Sequence, residues 1–225
     1  MAGHYVDLPL PDGRRVPAGE SLRELVVLRP AGDALPFQAL VLEEGSKAEI
    51  CIVVMPGVSG ELSLSADFVG KGAELKLSGI YLCGGSEKLE IRTEVRHRVP
   101  ECLSNQSFNG IVGGRAHAGF YGRIVVAPDA QKTEAYQSNR NILLSETAKT
   151  DTRPQLEIYA DDVKCSHGAT VGSLNEEEQF YMRSRGVPEA EAKVLQMISF
   201  VAPVLDQADE ALVQEIESAI RDLAL

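Results

Sequence analysis

Cys165 and His167 stand two residues apart in the run "LEIYADDVKCSHGATVG", residues 156–172. Thiolate and imidazole are both ligands for transition metals, and in an extended run residues two apart share one face. Two strand residues span about 7 Å of backbone, so both side chains can reach one small ligand. Val163, Ala169 and Val171 fall on the same face, which makes it the apolar side of the strand. A closed structural metal site takes four ligands, and Cys-x-His supplies two. The pair therefore predicts either an open, exchangeable site completed by another subunit, or plain packing of a small thiol and a hydrogen-bonded imidazole.

Other reactive residues carry less. Asp161 and Asp162 resemble the paired carboxylates of β-solenoid polysaccharide hydrolases. Adjacent strand residues point to opposite faces, however, so a solvated bend is the expectation. His97 and Cys102 bracket "RVPE", and no shared chemistry is expected of them. His117 alternates out of phase with Ala116 and Ala118, which predicts an exposed ring. Gly70-Lys71-Gly72 lacks the Lys-Ser/Thr and helix of a phosphate loop, and no G-x-S-x-G occurs. Nucleophilic catalysis has no support.

The elements that position Cys165 and His167 are strands. Alternation of period two dominates to about Gly172, as in "RAHAGFYGRIVVA", where Ala116, Ala118, Phe120, Gly122, Ile124 and Val126 share a side. Short breaks rich in Gly, Asp and Pro separate the strands, with no helical period between them. Aromatics make up 5% of the chain and Trp is absent, so the inward positions are small aliphatics. That composition favours a stacked β-solenoid over a sandwich, although a two-sheet sandwich fits the alternation nearly as well. At Ser173 the period changes. "SLNE" reads as a capping box, Gly186 as a left-handed stop, Pro188 as the first residue of a second helix and Pro203 as its end. Ala190, Val194, Met197, Ile198 and Val201 make one apolar stripe, and Leu212, Ile216, Ala219 and Leu223 a second. The expected organisation is a β core over residues 1–173 and a helical region over 174–225. Within residues 1–45, "LPLPDGRRVPAGESL" is expected to be an edge strand, a loose arm or, by preference, a cap on the first coil.

A formal net charge of −11, with no basic cluster, argues against nucleic acid and anionic membrane as partners. The four cysteines form no C-x-x-C pair and no secretory signal opens the chain, so reduced thiols and a cytoplasmic location are expected. The longest apolar runs, "CIVVMPGV" and "ISFVAPVL", fall well short of the ~18 residues of a membrane span.

The stretch from Ala130 to Phe200, above all "PQLEIYADDVKCSHGATVG" followed by "FYMRSRG", closely resembles the SufB/SufD family of SUF iron–sulfur cluster assembly proteins. "SFNGIVGG" (residues 107–114) shares the likeness, which weakens toward the start. The resemblance implies a right-handed parallel β-helix with a short C-terminal helical part. It implies a non-enzymatic scaffold that pairs through its β-helix with a SufB-type subunit or with itself. It also implies a SufC-type ATPase docked on the helices. No tightly bound cofactor is expected, only transient iron or iron–sulfur cluster at the subunit interface. His167 matches the SufD histidine of that site, with Cys165 as a helper, and Gly168, in place of the acidic residue usual in SufB, makes the chain SufD-like. Members typically carry a helical region ahead of the β-helix, whereas here β pattern starts almost at once. Two other functions compete with the scaffold: a β-solenoid enzyme acting on polysaccharide through Asp161 or Asp162, and a purely structural adaptor in which Cys165 and His167 only fill space.

Overall fold

The computed structural model describes residues 9–30, 34, 38–205 and 208–224. Among the described residues twelve strands run in chain order: β1 (Arg14–Val16), β2 (Ser21–Leu28), β3 (Ala39–Leu42), β4 (Lys47–Val54), β5 (Gly60–Phe68) and β6 (Glu74–Cys83). They continue as β7 (Lys88–His97), β8 (Leu103–Val112), β9 (His117–Val126), β10 (Glu134–Leu143), β11 (Lys149–Ile158) and β12 (Lys164–Gly172). Odd-numbered strands form one six-stranded sheet and even-numbered strands the other, with neighbours parallel throughout. The chain alternates between two facing sheets and returns one strand further along each time. This is the parallel β-solenoid expected from the small-residue alternation, and not a sandwich of antiparallel hairpins.

Period two explains why the coils stack. Inward residues meet like positions on the next coil, as in the column Ile50, Leu77, Gln106, Gln137, His167. The interior of the earlier coils is aliphatic and aromatic, with Leu40, Leu42, Phe68, Leu77, Phe108 and Phe120 fully buried. Burying each such side chain is worth roughly 1.5–3 kcal/mol. Tight corners fall on glycines in the left-handed region, including Gly45 (φ 62°) and Gly72 (φ 70°). The segment near the start forms β1 and β2, the first coil itself, so the edge-strand expectation holds over the preferred cap. Residues 1–8 lie outside the described residues.

Three helices follow among the described residues: α1 (Glu176–Ser184), α2 (Glu189–Val201) and α3 (Glu210–Leu223). Their starts correct the sequence reading. The cap of α1 is Asn175, whose Oδ1 accepts from the amides of Glu177 (2.9 Å) and Glu178 (3.2 Å). Ser173 and Leu174 instead bridge from strand to helix, with Leu174 packed under the helices. Pro188 is the cap residue of α2 rather than its first turn, and Ala192, not Ala190, completes the buried stripe with Val194, Met197 and Val201. Gly186 (φ 88°) follows the end of α1 as expected, and Pro203 sits in a 3-10 turn that ends α2.

α2 and α3 cover the outer face of the even sheet. Cys51, Val53, Met55, Ile80, Leu82 and Ile111 meet Met197, Val201, Leu212, Ile216 and Ile220 in a second core. Polar ties fix the contact: Asn109 donates to the Phe200 carbonyl at 2.7 Å, and Arg29 grips Glu215 through two bonds of 3.0 and 2.8 Å. α1 buries none of its residues and leaves Phe180 72% and Tyr181 60% exposed.

Candidate functional site

β12 closes the even sheet and β11 the odd one, so both final strands have one unpaired edge. The hydrogen bonds define which groups lie there. Lys164 N–H donates back to the Thr133 carbonyl, so even residues of β12 face β10. The amides and carbonyls of Cys165, His167, Ala169 and Val171 therefore line the free edge. By the same parity Lys149 N–H bonds the Ala116 carbonyl, which puts Pro154 on the free edge of β11. A proline with no N–H to offer at that place is a common way to blunt an edge. β12 carries no such interruption.

Cys165 and His167 project from β12 on one side, as the alternation predicts. That side is the interior: Cys165 registers with buried Ala135 and His167 with buried Gln137. Cys165 is half-buried against the interior core, while His167 is exposed because no further coil covers it. Burial pushes the Cys165 thiol above its ordinary range, against a smaller opposing bond from the Ala135 amide. A soft metal binding there must displace a proton. Around the start of β12, Lys164 Nζ reaches Glu134 at 2.8 Å and Tyr136 donates to the same carboxylate at 3.0 Å. The Lys164 contact, then that of Tyr136, holds Glu134 below the usual carboxylate range.

No cluster of three or more His, Cys, Asp or Glu side chains suited to a metal occurs among the described residues. The chain by itself thus offers two ligands at an open mouth, which fits a metal cargo only if another chain completes the set. The other cysteines lie elsewhere. Cys51, Cys83 and Cys102 are buried, and burial, then the charge of Glu87, pushes Cys83 up to about 12. His97 does not join Cys102. It is fully buried, stacks on Phe68 with ring centroids 4.3 Å apart, and pairs with Ser104 Oγ at 2.8 Å. His117 is exposed and bonds Asp151 at 2.8 Å. Asp161 and Asp162 lie in an exposed bend between β11 and β12, as expected.

Sequence reasoning missed the polar interior beside His167. Gln106, Gln137, Asn139 and Asn141 are inward and buried. A signal was present: "QS" recurs at Gln106-Ser107 and Gln137-Ser138, which are partners in register.

Residues 34–200 match the family model described as SUF system FeS cluster assembly, SufBD core domain. The chain belongs to the SufB/SufD family. It is 36% identical to the iron–sulfur cluster assembly protein SufD of Escherichia coli (strain K12), over 88% of this chain and 47% of that protein. A SufBD-family iron–sulfur cluster assembly protein of Synechocystis is 31% identical over 83% of this chain and 42% of its own length. The chloroplastic protein ABCI7 of Arabidopsis thaliana is 31% identical over 73% of this chain and 35% of that protein. The chain is SufD-like, and it spans less than half the length of these relatives. No helix among its described residues is long and apolar enough to cross a membrane.

Proposed function

We propose that this SufD-like chain is a non-catalytic scaffold subunit of cytoplasmic iron–sulfur cluster assembly. It pairs through the open end of its β-helix and holds iron or nascent cluster at His167, assisted by Cys165, where two subunits meet. The observation that carries this reading is the placement of His167: inward-pointing, exposed, and on the free edge of an uninterrupted last strand. A core residue would be covered, and an edge without a partner would be expected to carry a proline on β12 as β11 does. Partner strands added to β11 and β12 would seal the mouth and bring further ligands to the pair. The partner is a SufB-type subunit or a second copy. A SufC-type ATPase docks on the helical region, for which exposed Phe180 and Tyr181 on α1 are the favoured anchors.

The test compares His167→Ala with wild type for cluster maturation in cells and for unfolding free energy in vitro. The scaffold reading expects maturation to fall while stability stays within about 0.5 kcal/mol, as for an exposed residue. Unchanged maturation would overturn the iron-holding role of His167.

A further inference from the structure

The interior of the last coils holds buried polar side chains among its apolar ones, and they fall into two groups that differ. On one side Tyr81, Asn139 and Asn141 satisfy one another: Tyr81 donates to Asn141 at 2.5 Å, Asn139 donates to Tyr81 at 3.0 Å, and Asn141 donates to Asn139 at 2.8 Å. On the other side His97 and Ser104 pair with each other, but two amides are left unpaired. Gln106 is 0% exposed and Gln137 3%, and both the Nε2 and Oε1 atoms of each lack a protein partner. The Thr93 hydroxyl, on a residue 3% exposed, is equally alone.

These groups are contiguous. Gln106, Gln137 and His167 are consecutive members of one inward column of the even sheet. Thr93, Gly122 and Pro154 are consecutive members of an inward column of the odd sheet. The two columns meet at Gly122, because a Cβ built there would lie 2.2 Å from Gln137 Nε2. The amide of Gln137 thus crosses the interior into room that only glycine leaves. Each buried amide or hydroxyl without a partner costs about 1–3 kcal/mol. Three such side chains, Thr93, Gln106 and Gln137, form one tract of hydrogen-bonding groups for a small guest.

The guest's class follows from the lining. The inward positions of β7 to β12 hold no Asp, Glu, Lys or Arg. An ion entering would lose several kcal/mol of hydration against neutral dipoles alone. Neutral amides and hydroxyls offer both donors and acceptors, which suits water. We infer that the interior from Thr93 and Gln106 to the mouth at His167 binds a file of ordered water and excludes ions. On the reading proposed above, iron and sulfide then reach His167 from the outside, before the partner closes the mouth, and not along the axis of the solenoid.

Two measurements on the full chain decide it. Oxygen-17 relaxation dispersion counts long-lived internal waters, and the Gln106→Met/Gln137→Met double variant should lose at least two. An unchanged count in a folded variant overturns the inference. If the double variant does not fold, atomic-resolution density of the wild type replaces it: water within hydrogen-bond distance of both amides is expected, and a dry interior overturns it. Crystals soaked separately in bromide and Co2+ test exclusion. No anomalous density beside Gln106, Gln137 or Thr93 is expected, and a peak there refutes the exclusion. Neither readout depends on cluster assembly, so this inference and the scaffold reading fail separately.

Discussion

His97 shows what this interior does to a single titratable group. Burial alone drives its pKa from the ordinary 6.5 down to about 3. The folded ring therefore stays neutral while the unfolded chain takes up a proton below pH 6.5. Its contribution is fully present above that value and is lost as pH falls from 6.5 toward 3, amounting to on the order of 5 kcal/mol. His97→Gln, which keeps a partner for Ser104, should flatten the acid limb between pH 6.5 and 4 in denaturant titrations; an unchanged slope would assign that limb to carboxylates. His167 behaves oppositely, since its effect should appear in function and not in stability. Its face was readable from alternation in the sequence. Its exposure was not, because exposure depends on β12 being the last coil, and alternation says nothing about what stacks next. The unpaired glutamines were hidden for a related reason: a Gln within an alternating strand reads as an outward residue until register fixes its phase.

At the scale of elements, parity along the edge strands makes opposite predictions for neighbouring residues. Ala169 sends its N–H to the free edge, and Thr170 sends its N–H to β10. Ala169→Pro should thus abolish pairing through β12, read by sedimentation, while costing the monomer about 1 kcal/mol or less. Thr170→Pro should break the ladder within the chain and lower the melting temperature. Equal effects from the two would show that β12 is not the docking edge. Inside the coil, Gly110→Ala would drive a methyl to 2.1 Å from the Tyr81 ring and 2.4 Å from Asn141, in a network with no slack. A loss of about 1–3 kcal/mol in chemical denaturation is expected. Strand existence and the α1 stop were legible because alternation and Gly186 are local signals. The α1 start was misplaced by two residues because Ser173 and Asn175 are both competent caps. Tertiary packing of Leu174 decided between them.

Over the whole molecule the helices divide into a fixed part and a presented part. α2 and α3 are bonded into the even sheet, so Ile216→Ala should cost about 2–5 kcal/mol and loosen the second core. α1 is held chiefly through Gln196, which bonds Gln179, Glu178 and the Asn175 carbonyl. A Phe180→Ala/Tyr181→Ala double variant should keep its melting temperature yet lose capture of the SufC-type ATPase in pull-downs; retained capture would move the docking surface elsewhere. Deleting the entire helical region is a poorer probe, because it would uncover Val53, Ile80 and Ile111.

The two mouths of the solenoid are built differently. At the first coil Arg14 and Glu24, both in inward columns, lock across the opening at 2.5 Å. The last coil has no inward charge at all. Stacking a second barrel on the first mouth would strand a carboxylate and a guanidinium away from water, whereas the last mouth imposes no such toll. A partner strand laid against the last coil therefore escapes the desolvation cost that the Arg14–Glu24 pair sets at the first coil.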